Sequence, residues 1–436
     1  MGTTADAWLP SANFWQNTFD KSTNDGQEAA LFKNIVLENI LNSQCGIEAV
    51  RQLQIEKARS ASPSSRLRLY INNDRRDDLA DLLLEPPSNS GNDLPDLVSR
   101  ATGAEKFCLV VNNLELLVGD VSSVLGTFLE TMFACRGTPI GGCEAVLFAG
   151  NYAETSFGFH EGFEHAFLVH LGPGVKDFYC MPSNTYVETT GGREPTFGEL
   201  DFLLERSTKF QLDPGDILYL PAHVYHIGKQ TSFSVSIALP LYNVPQERFF
   251  LKGVLPLLID ELLVKSEQPG SPYLPLNAGA DTFLASQLPI LESAVKNLQA
   301  QCHEHGPDIL RYYWYRLMSN GYWEVRQSSF EDLEKTNSLN EREDSFMPGD
   351  LIELKKPFKA FWSQLDCKDN ELRIFLKGES TIADNKPVII QTLNNLNSYY
   401  AFPIPSDQSV LDLLSVLDAT GALIRHNKSQ TSPLSN

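Results

Sequence analysis

The sequence predicts an α+β protein in which a small β-barrel of the double-stranded β-helix (jelly-roll) type lies between helical segments. Two observations carry this prediction. Between positions 143 and 242, short apolar runs are separated by Gly, Pro and Asn turns, a texture typical of a barrel or jelly roll. On both sides of this stretch, apolar residues recur at helical spacing. The predicted barrel strands are Ala145–Ala149, Ala166–Leu171, Phe178–Met181, Ile217–Leu220 and Phe233–Leu239.

The region before the barrel mixes helices with two short strands. Apolar positions at helical spacing predict a helix over Gln27–Ser60. The strand-like runs Arg66–Ile71 and Phe107–Val111 follow, and a long helix is predicted from Leu114 to Cys135. We expect this helical N-terminal elaboration to pack on the barrel, so that residues 1–244 form one domain.

The region after the barrel returns to a helical pattern. Amphipathic stretches over Phe249–Lys265 and Thr282–Gln301 predict a helical segment spanning residues 245–333. A last module, residues 345–426, is predicted to run helix, strand, strand, helix, and the polar tail 427–436 to be disordered. The predicted elements of the module are Phe358–Gln364, Leu372–Lys377, Pro387–Thr392 and Val410–Leu417.

Composition excludes several classes of function. The chain has 436 residues, enough for two or three domains, and a net charge of −20. That charge argues against unaided binding to nucleic acid or to an anionic membrane surface, and it suits a basic partner or substrate. No apolar run reaches the roughly 18 residues that a membrane-spanning helix needs. The first residues also lack the basic and apolar regions of a secretory signal.

The cysteines indicate a reducing compartment. There are seven, an odd number, widely scattered and without a Cys-x-x-Cys pair. Free, mostly buried thiols are expected from such a pattern, which predicts a cytoplasmic protein.

The histidines predict a metal site. Five of the eight lie between His160 and His226, within the strand-rich stretch. Gly215-x5-Pro221-x4-His226 fits the second histidine motif of cupin barrels, in which a glycine turn and a proline position the histidine on a strand. Two imidazoles on separate strands of a barrel, completed by a carboxylate, form the metal site of non-haem Fe(II) oxygenases. We expect His165, His170 and His223 to have structural partners instead.

The sequence resembles a known family at several further motifs. Gly150–Tyr152, Phe157–His160, Ala166–His170 and Val175–Phe178 look like the core of JmjC-type oxygenases, closest to their ribosomal-oxygenase branch. Members of that branch are Fe(II)- and 2-oxoglutarate-dependent hydroxylases of amino-acid side chains. The resemblance implies a cupin barrel followed by a helical dimerisation segment and a winged-helix-like module, and hence a homodimer.

The resemblance also implies roles for individual residues. His160 and His226 match the two iron-binding histidines, and Lys176 matches the lysine that pairs with the distal carboxylate of 2-oxoglutarate. A dicarboxylate in an apolar barrel needs a buried cation, although a strand lysine facing outward fits the sequence equally well. Thr155 and Tyr152 are candidates for further hydrogen bonds to the cofactor.

Gly162 is the departure from the family pattern, which has Asp or Glu two residues after the first histidine. In one interpretation Glu164, preferred over Glu161, supplies the third ligand. In a second, the position takes chloride, as in the Fe(II)- and 2-oxoglutarate-dependent halogenases that resemble this His-x-Gly pattern. In a third, the barrel has lost its iron and binds a peptide or protein without catalysis. A three-histidine site that includes His165 or His170 is less favoured.

The function predicted from these observations is that of a 2-oxoglutarate-dependent dioxygenase. Its cofactors would be Fe(II) and 2-oxoglutarate, with chloride in the halogenase alternative. The substrate would be an amino acid, peptide or protein with an unactivated C–H bond, and a basic substrate would suit the acidic chain.

Overall fold

The computed structural model describes residues 8–36, 38–59, 66–85, 93–258, 279–325, 346–364 and 367–426. The chain divides into two compact units. The first comprises residues 1–243 with 321–324, and the second residues 244–320 with 325–436. The predicted disordered tail 427–436 lies outside the described residues.

The first unit is built on two antiparallel β-sheets. The larger sheet has eight strands in the order β1-β10-β7-β12-β5-β4-β2-β3, and the smaller has four in the order β6-β11-β8-β9. The strands are β1 (Ala30–Phe32), β2 (Leu67–Ile71), β3 (Asp74–Arg75), β4 (Cys108–Val111), β5 (Val146–Gly150), β6 (His160–Gly162), β7 (His165–Pro173), β8 (Lys176–Met181), β9 (Thr208–Leu212), β10 (Ile217–Leu220), β11 (Val224–Lys229) and β12 (Ser234–Leu241).

The inner faces of the two sheets form the barrel core. Leu168 on the larger sheet and Phe178 on the smaller belong to one cluster of buried side chains, which also includes Leu218 and Val224. Because successive strand residues point to opposite faces, each strand gives alternate side chains to this core. The predicted double-stranded β-helix is confirmed by this arrangement.

The outer face of the larger sheet carries the N-terminal helices. Trp15 and Phe19 form ring contacts with Phe167 of β7, as does Phe128. The helices of this unit are α1 (Asp20–Thr23), which a π-helical turn (Phe14–Phe19) precedes, α2 (Cys45–Arg59), α3 (Asp77–Leu83), α4 (Leu94–Thr102), α5 (Gly119–Arg136), α6 (Ser183–Thr190) and α7 (Asp201–Leu204).

The predicted helix over Gln27–Ser60 is wrong in its first half. Ala30–Phe32 is an edge strand whose Leu31 pairs with Leu218 of β10. The positive φ of 78° at Gly26 and of 54° at Asn34 place turns on both sides of it. Pairing with the large sheet therefore overrides the local helical pattern.

The second unit contains helices and two three-stranded antiparallel sheets, ordered β17-β13-β18 and β14-β15-β16. Its helices are α8 (Gln246–Phe249), which a π-helical turn (Phe250–Val254) follows, α9 (Leu255–Leu258), α10 (Ala280–Ser319), α11 (Pro387–Leu396) and α12 (Gln408–Asp418). Its strands are β13 (Leu351–Leu354), β14 (Phe361–Ser363), β15 (Glu371–Leu376), β16 (Glu379–Asp384), β17 (Phe402–Pro403) and β18 (Leu423–His426).

Two elements predicted for this unit are wrong. The predicted strand over Pro387–Thr392 is the start of α11, where proline occupies a first-turn position and needs no N–H partner. Its buried residues Ile389, Leu393 and Leu396 recur at helical spacing. The predicted helix over Phe358–Gln364 contains instead the strand β14, which pairs with β15.

Two further findings concern the whole of the described chain. No helix in these residues combines the length and hydrophobicity needed to cross a membrane. All seven cysteines are free thiols.

Candidate active site

A cavity of about 290 Å³ lies between the two sheets of the barrel. Both sheets line it: Phe148 and Leu168 face it from the larger sheet, while Phe178 and Val224 face it from the smaller. The predicted residues that line it are His160, Gly162, Glu164, Lys176, His226 and Thr155. Strand alternation and the antiparallel register thus bring together residues that are up to 71 positions apart in sequence (226 − 155 = 71).

His160 and His226 form a pair at this cavity. Strand β6 runs antiparallel to β11 with His160 directly opposite His226. The ring centroids are 4.5 Å apart and the ring planes are inclined by 57°. The ring of His226 also stacks on Phe178 at 5.3 Å.

Backbone carbonyls fix the orientation of both rings. Nδ1 of His160 lies 3.0 Å from the Gly158 oxygen, and Nδ1 of His226 lies 3.3 Å from the Val224 oxygen. Because a carbonyl oxygen can only accept a hydrogen bond, Nδ1 carries the proton in each neutral ring, and the Nε2 lone pair remains available to a metal. Burial and the proximity of His160 lower the pKa of His226 to about 3, and burial lowers the pKa of His160 as well. Both rings are therefore neutral at pH 7, the state in which imidazole binds metals.

Gly162 faces the histidine pair. It lies two residues after His160 on the same strand, so a side chain at this position would point to the same face. A Cβ added there would lie 2.9 Å from Cε1 of His226. A carboxylate at position 162 would therefore adjoin the imidazole of His226, and glycine supplies none.

The two glutamates nearest to Gly162 in sequence do not complete a metal site. Glu161 points to the opposite face, where its Oε1 lies 2.9 Å from Nδ1 of His223. Glu164 lines the cavity, but its charge raises the pKa of Tyr242, which places it towards that tyrosine. Within the described ranges, no three His, Cys, Asp or Glu side chains form a group that could hold a metal. The structure thus brings His160 and His226 together without Glu164.

Lys176 is a buried cation that points into the cavity. Its side chain is 2% exposed, and Nζ donates to the Tyr152 hydroxyl at 3.2 Å and to Oγ of Ser236 at 3.4 Å. No carboxylate among the described residues forms an ion pair with it. Burial lowers its pKa to about 8, so that it stays protonated at pH 7. A buried charge without a counter-ion is costly, and a ligand anion in the cavity would compensate it. The inward orientation, which sequence alone left open, is the one observed.

Thr155 lines the cavity on the same side. Its backbone N–H donates to the Gly228 oxygen, but its buried Oγ1 has no hydrogen-bond partner. Such orphaned buried hydroxyls are rare in folded proteins, and a ligand oxygen would satisfy this one. Tyr152 is also buried, and burial raises its pKa well above the usual value, so that its hydroxyl stays neutral.

The remaining histidines of the cluster have partners away from this cavity. His165 contacts the Tyr219 hydroxyl through Nδ1 at 2.7 Å. His170 lies between Ser236 and the Gly174 oxygen. With His223 bonded to Glu161, each has the kind of structural partner that was expected.

A chain of hydrogen-bonded polar residues that the sequence analysis did not predict forms another wall of the cavity. Arg68 donates to Asn112 at 2.9 Å, and Asn112 donates in turn to Oε1 of buried Glu144 at 2.9 Å. The Tyr242 hydroxyl donates to the other oxygen of Glu144. These residues lie on or beside four different strands of the large sheet, and no local sequence pattern marks them as neighbours.

Several solved structures are similar to this chain at low sequence identity. Among solved structures, the X-ray structure of Escherichia coli YcfD is 13% identical over 96% of this chain and 98% of that chain, with a TM-score of 0.49. The structure of the ribosomal oxygenase YcfD with cobalt and 2-oxoglutarate is 12% identical over 95% and 98%, with a TM-score of 0.46. A cupin superfamily protein from Desulfitobacterium hafniense is 18% identical over 23% of this chain and 67% of that chain, with a TM-score of 0.15.

Sequence comparison finds one family model that is similar to the barrel. No curated protein matches the chain significantly. The family model described as the JmjC domain matches residues 143–246. This range contains β5 to β12, with the histidine pair and Lys176. Residues 143–246 of this chain are therefore similar to the JmjC domain.

Proposed function

We propose that the chain is an Fe(II)- and 2-oxoglutarate-dependent oxygenase that hydroxylates an unactivated C–H bond of an amino-acid, peptide or protein substrate. JmjC domains are oxygenase domains of this cofactor class. The observation that carries the proposal is the combination, in one cavity, of a neutral histidine pair with a buried, unpaired lysine cation. A metal and an organic anion would satisfy both groups.

The side chains around the cavity supply two of the expected iron ligands and the groups that would bind 2-oxoglutarate. His160 and His226 would hold iron through Nε2, while Lys176, Tyr152 and Thr155 would bind the distal carboxylate of 2-oxoglutarate. When bound, iron and 2-oxoglutarate supply the oxidising chemistry that the side chains of the protein lack. The chain orients these ligands, and apolar walls such as Phe148 and Phe178 exclude water from the reacting centre.

The proposal predicts that Fe(II) and 2-oxoglutarate bind together at micromolar concentrations under anaerobic conditions. Lys176→Met should weaken 2-oxoglutarate binding by roughly a hundredfold, because a charge-assisted contact to a buried carboxylate is lost. The matched control is Lys209→Met, which removes an exposed lysine of β9 and should leave binding unchanged. Calorimetric titration measures the affinity of each variant for 2-oxoglutarate. If the wild-type chain binds neither ligand, the barrel is a non-catalytic binding module and the proposal fails.

The cavity favours a basic substrate. Glu164 lines it and has no ion pair with a described cation, and buried Glu144 lines it as well. A cationic side chain entering the cavity would compensate such carboxylates, and the net charge of −20 would attract it. Peptides that carry Arg, Lys or His should therefore stimulate succinate formation from 2-oxoglutarate, whereas peptides with Gln at the same position should not.

A halogenase is the second candidate, favoured by one observation. Gly162 presents no side chain to the histidine pair, and the described residues supply no third protein ligand. In this alternative, chloride occupies the position that a carboxylate would take, and the product carries chlorine instead of hydroxyl. Dependence of the product on chloride distinguishes the two reactions.

We further propose that the chain is a homodimer joined through α10. Four apolar residues of this helix are 44–60% exposed and spaced at intervals of four, three and four residues: Leu284, Leu288, Leu291 and Val295. This heptad spacing is that of a helix-packing seam, which a second helix fills. A second copy of the chain presents the same row of apolar side chains, and packing of the two α10 helices against each other buries both rows.

A further inference from the structure

We infer that His170 and Ser236 form a buried positioning pair that orients the ammonium group of Lys176 for the dicarboxylate ligand. The inference rests on the proposed function, since it concerns the binding of that ligand. Neither residue lines the cavity, and both are fully buried. They lie opposite each other in the register of β7 and β12.

The direction of each hydrogen bond follows from chemistry. Nε2 of His170 lies 2.7 Å from the Gly174 oxygen, which can only accept, so the proton of the neutral ring is on Nε2. Nδ1 of His170 must then accept, and its partner at 2.9 Å is the Ser236 hydroxyl. The single proton of Ser236 is therefore committed to His170.

This commitment determines what Ser236 offers to Lys176. Without a free proton, the serine oxygen presents only lone pairs to Nζ, 3.4 Å away. Nζ thus donates one N–H to Ser236 and one to Tyr152, and its third N–H is left for a ligand. The pair stabilises the charged form of the lysine and fixes the direction of the third donor.

The alternative explanation is that the two side chains merely fill the core. A core role would not require a particular hydrogen-bond direction. Two substitutions of His170 separate the explanations, because each retains one of its two hydrogen bonds. His170→Asn keeps an acceptor near the Nδ1 position, which can still orient Ser236. His170→Gln keeps a donor near the Nε2 position for Gly174 but offers Ser236 no acceptor.

The experiment measures equilibrium binding of succinate and of 2-oxoglutarate, together with thermal unfolding as a check of the fold. Ser236→Ala and His170→Gln should weaken binding of both dicarboxylates by about tenfold, the loss of roughly one hydrogen bond to a charged group. His170→Asn should stay within about threefold of the wild type. Equal losses in the Asn and Gln variants, or no loss in Ser236→Ala, would overturn the inference.

The pH dependence of succinate binding gives a readout that core packing would not change. Among the described residues, the titratable groups that interact with Lys176 are Tyr152, Cys108 and His170, and burial keeps all three neutral at pH 7. Wild-type affinity should therefore fall as the pH rises through about 8, where Lys176 loses its proton. Loss of the serine acceptor destabilises the ammonium form, so Ser236→Ala should move this fall to lower pH. An unchanged profile would contradict the inference, whereas a wild-type chain that binds no dicarboxylate at any pH would refute the proposed function itself.

Discussion

Lys176 is a fully buried cation. When no ligand is bound, the burial of its charge lowers the stability of the folded protein. Its pKa is about 8 in the folded chain against 10.5 for the ordinary group. The unfolded chain therefore binds the proton more tightly between these two values, and stability rises with pH across this window. Below pH 8 the whole penalty of burying the charge is present. The lysine is thus retained at the expense of stability, as expected of a ligand-binding group.

Lys176→Met should accordingly stabilise the ligand-free protein. At pH 7 the gain should be up to about 3 kcal/mol in the free energy of unfolding, and it should shrink as the pH approaches 10. Urea unfolding at both pH values measures it, with Lys209→Met as the exposed control. A destabilised Lys176→Met variant at pH 7 would show that the lysine has a compensating anion in the protein itself.

Gly162 is the residue on which the candidate reactions diverge. Gly162→Asp places a carboxylate beside the imidazole of His226 and should tighten Fe(II) binding by roughly tenfold while removing any dependence on chloride. The ring of His226 must shift slightly to admit the new Cβ, and Gly162→Ala controls for that shift because it adds the Cβ alone. Glu164→Ala tests the remaining assignment. If it abolishes iron binding in the otherwise wild-type chain, Glu164 is the third ligand and Gly162→Asp should add little.

At the scale of elements, the pairing of β6 with β11 creates the histidine pair that we propose as metal ligands. Both strands are short, and their register places His160 opposite His226. A shift of one residue would turn one of the two rings to the other face of the sheet. The turn between β6 and β7 then carries Glu164 into the cavity, whereas strand alternation within β6 directs Glu161 to the opposite face.

The proposed dimer through α10 can be tested by substitution at the same scale. Replacing Leu288 and Leu291 together by Glu should convert the proposed dimer to a monomer, because four charges would meet in the seam of the dimer. Lys296→Glu, at an exposed position of the same helix, is the matched control and should leave the dimer intact. Light scattering coupled to size exclusion measures the mass. A wild-type monomer at tens of micromolar would refute the proposal.

At the scale of the whole molecule, the buried neutral histidines make the stability of the folded protein decrease as the pH falls. The folded pKa values of about 4 for His170 and about 3 for His226 lie below the ordinary value of 6.5. Burial is the main cause of both shifts. The unfolded chain takes up these protons as the pH falls below 6.5 and the folded chain does not, so stability is lost progressively from there.

The predicted loss is about 2 kcal/mol per buried histidine between pH 6.5 and pH 5. Urea unfolding at pH 7, 6 and 5 measures it. His170→Asn should make the decline shallower, since one of the two groups is removed. Equal stability at pH 7 and pH 5 would contradict the assignment of these rings as buried and neutral.

Much of the site could be predicted from the sequence because its signals are local. Turn residues between apolar runs mark the strands of the barrel, and the Gly215-to-His226 motif and the run around His160 mark the two histidines that we propose as ligands. The predicted resemblance of the barrel to JmjC-type oxygenases is confirmed by the JmjC-domain family model, which matches residues 143–246. The same local reasoning failed at Ala30–Phe32 and at Pro387–Thr392, where pairing with a distant strand and burial of a helical face decided the element.

By itself, the sequence indicated the barrel and the two histidines through periodicity and spacing along the chain, and the resemblance to JmjC-type oxygenases marked Gly162 as the position without the expected carboxylate. Only the tertiary structure decided that Lys176 points inward, that Thr155 is left without a partner, and that Glu164 lies apart from the histidines. The physical reason is that the phase of a strand, and therefore the direction of each side chain, depends on its register with strands far away in sequence. The Arg68-to-Tyr242 wall shows the same limit, because its hydrogen bonds join strands that no local pattern connects.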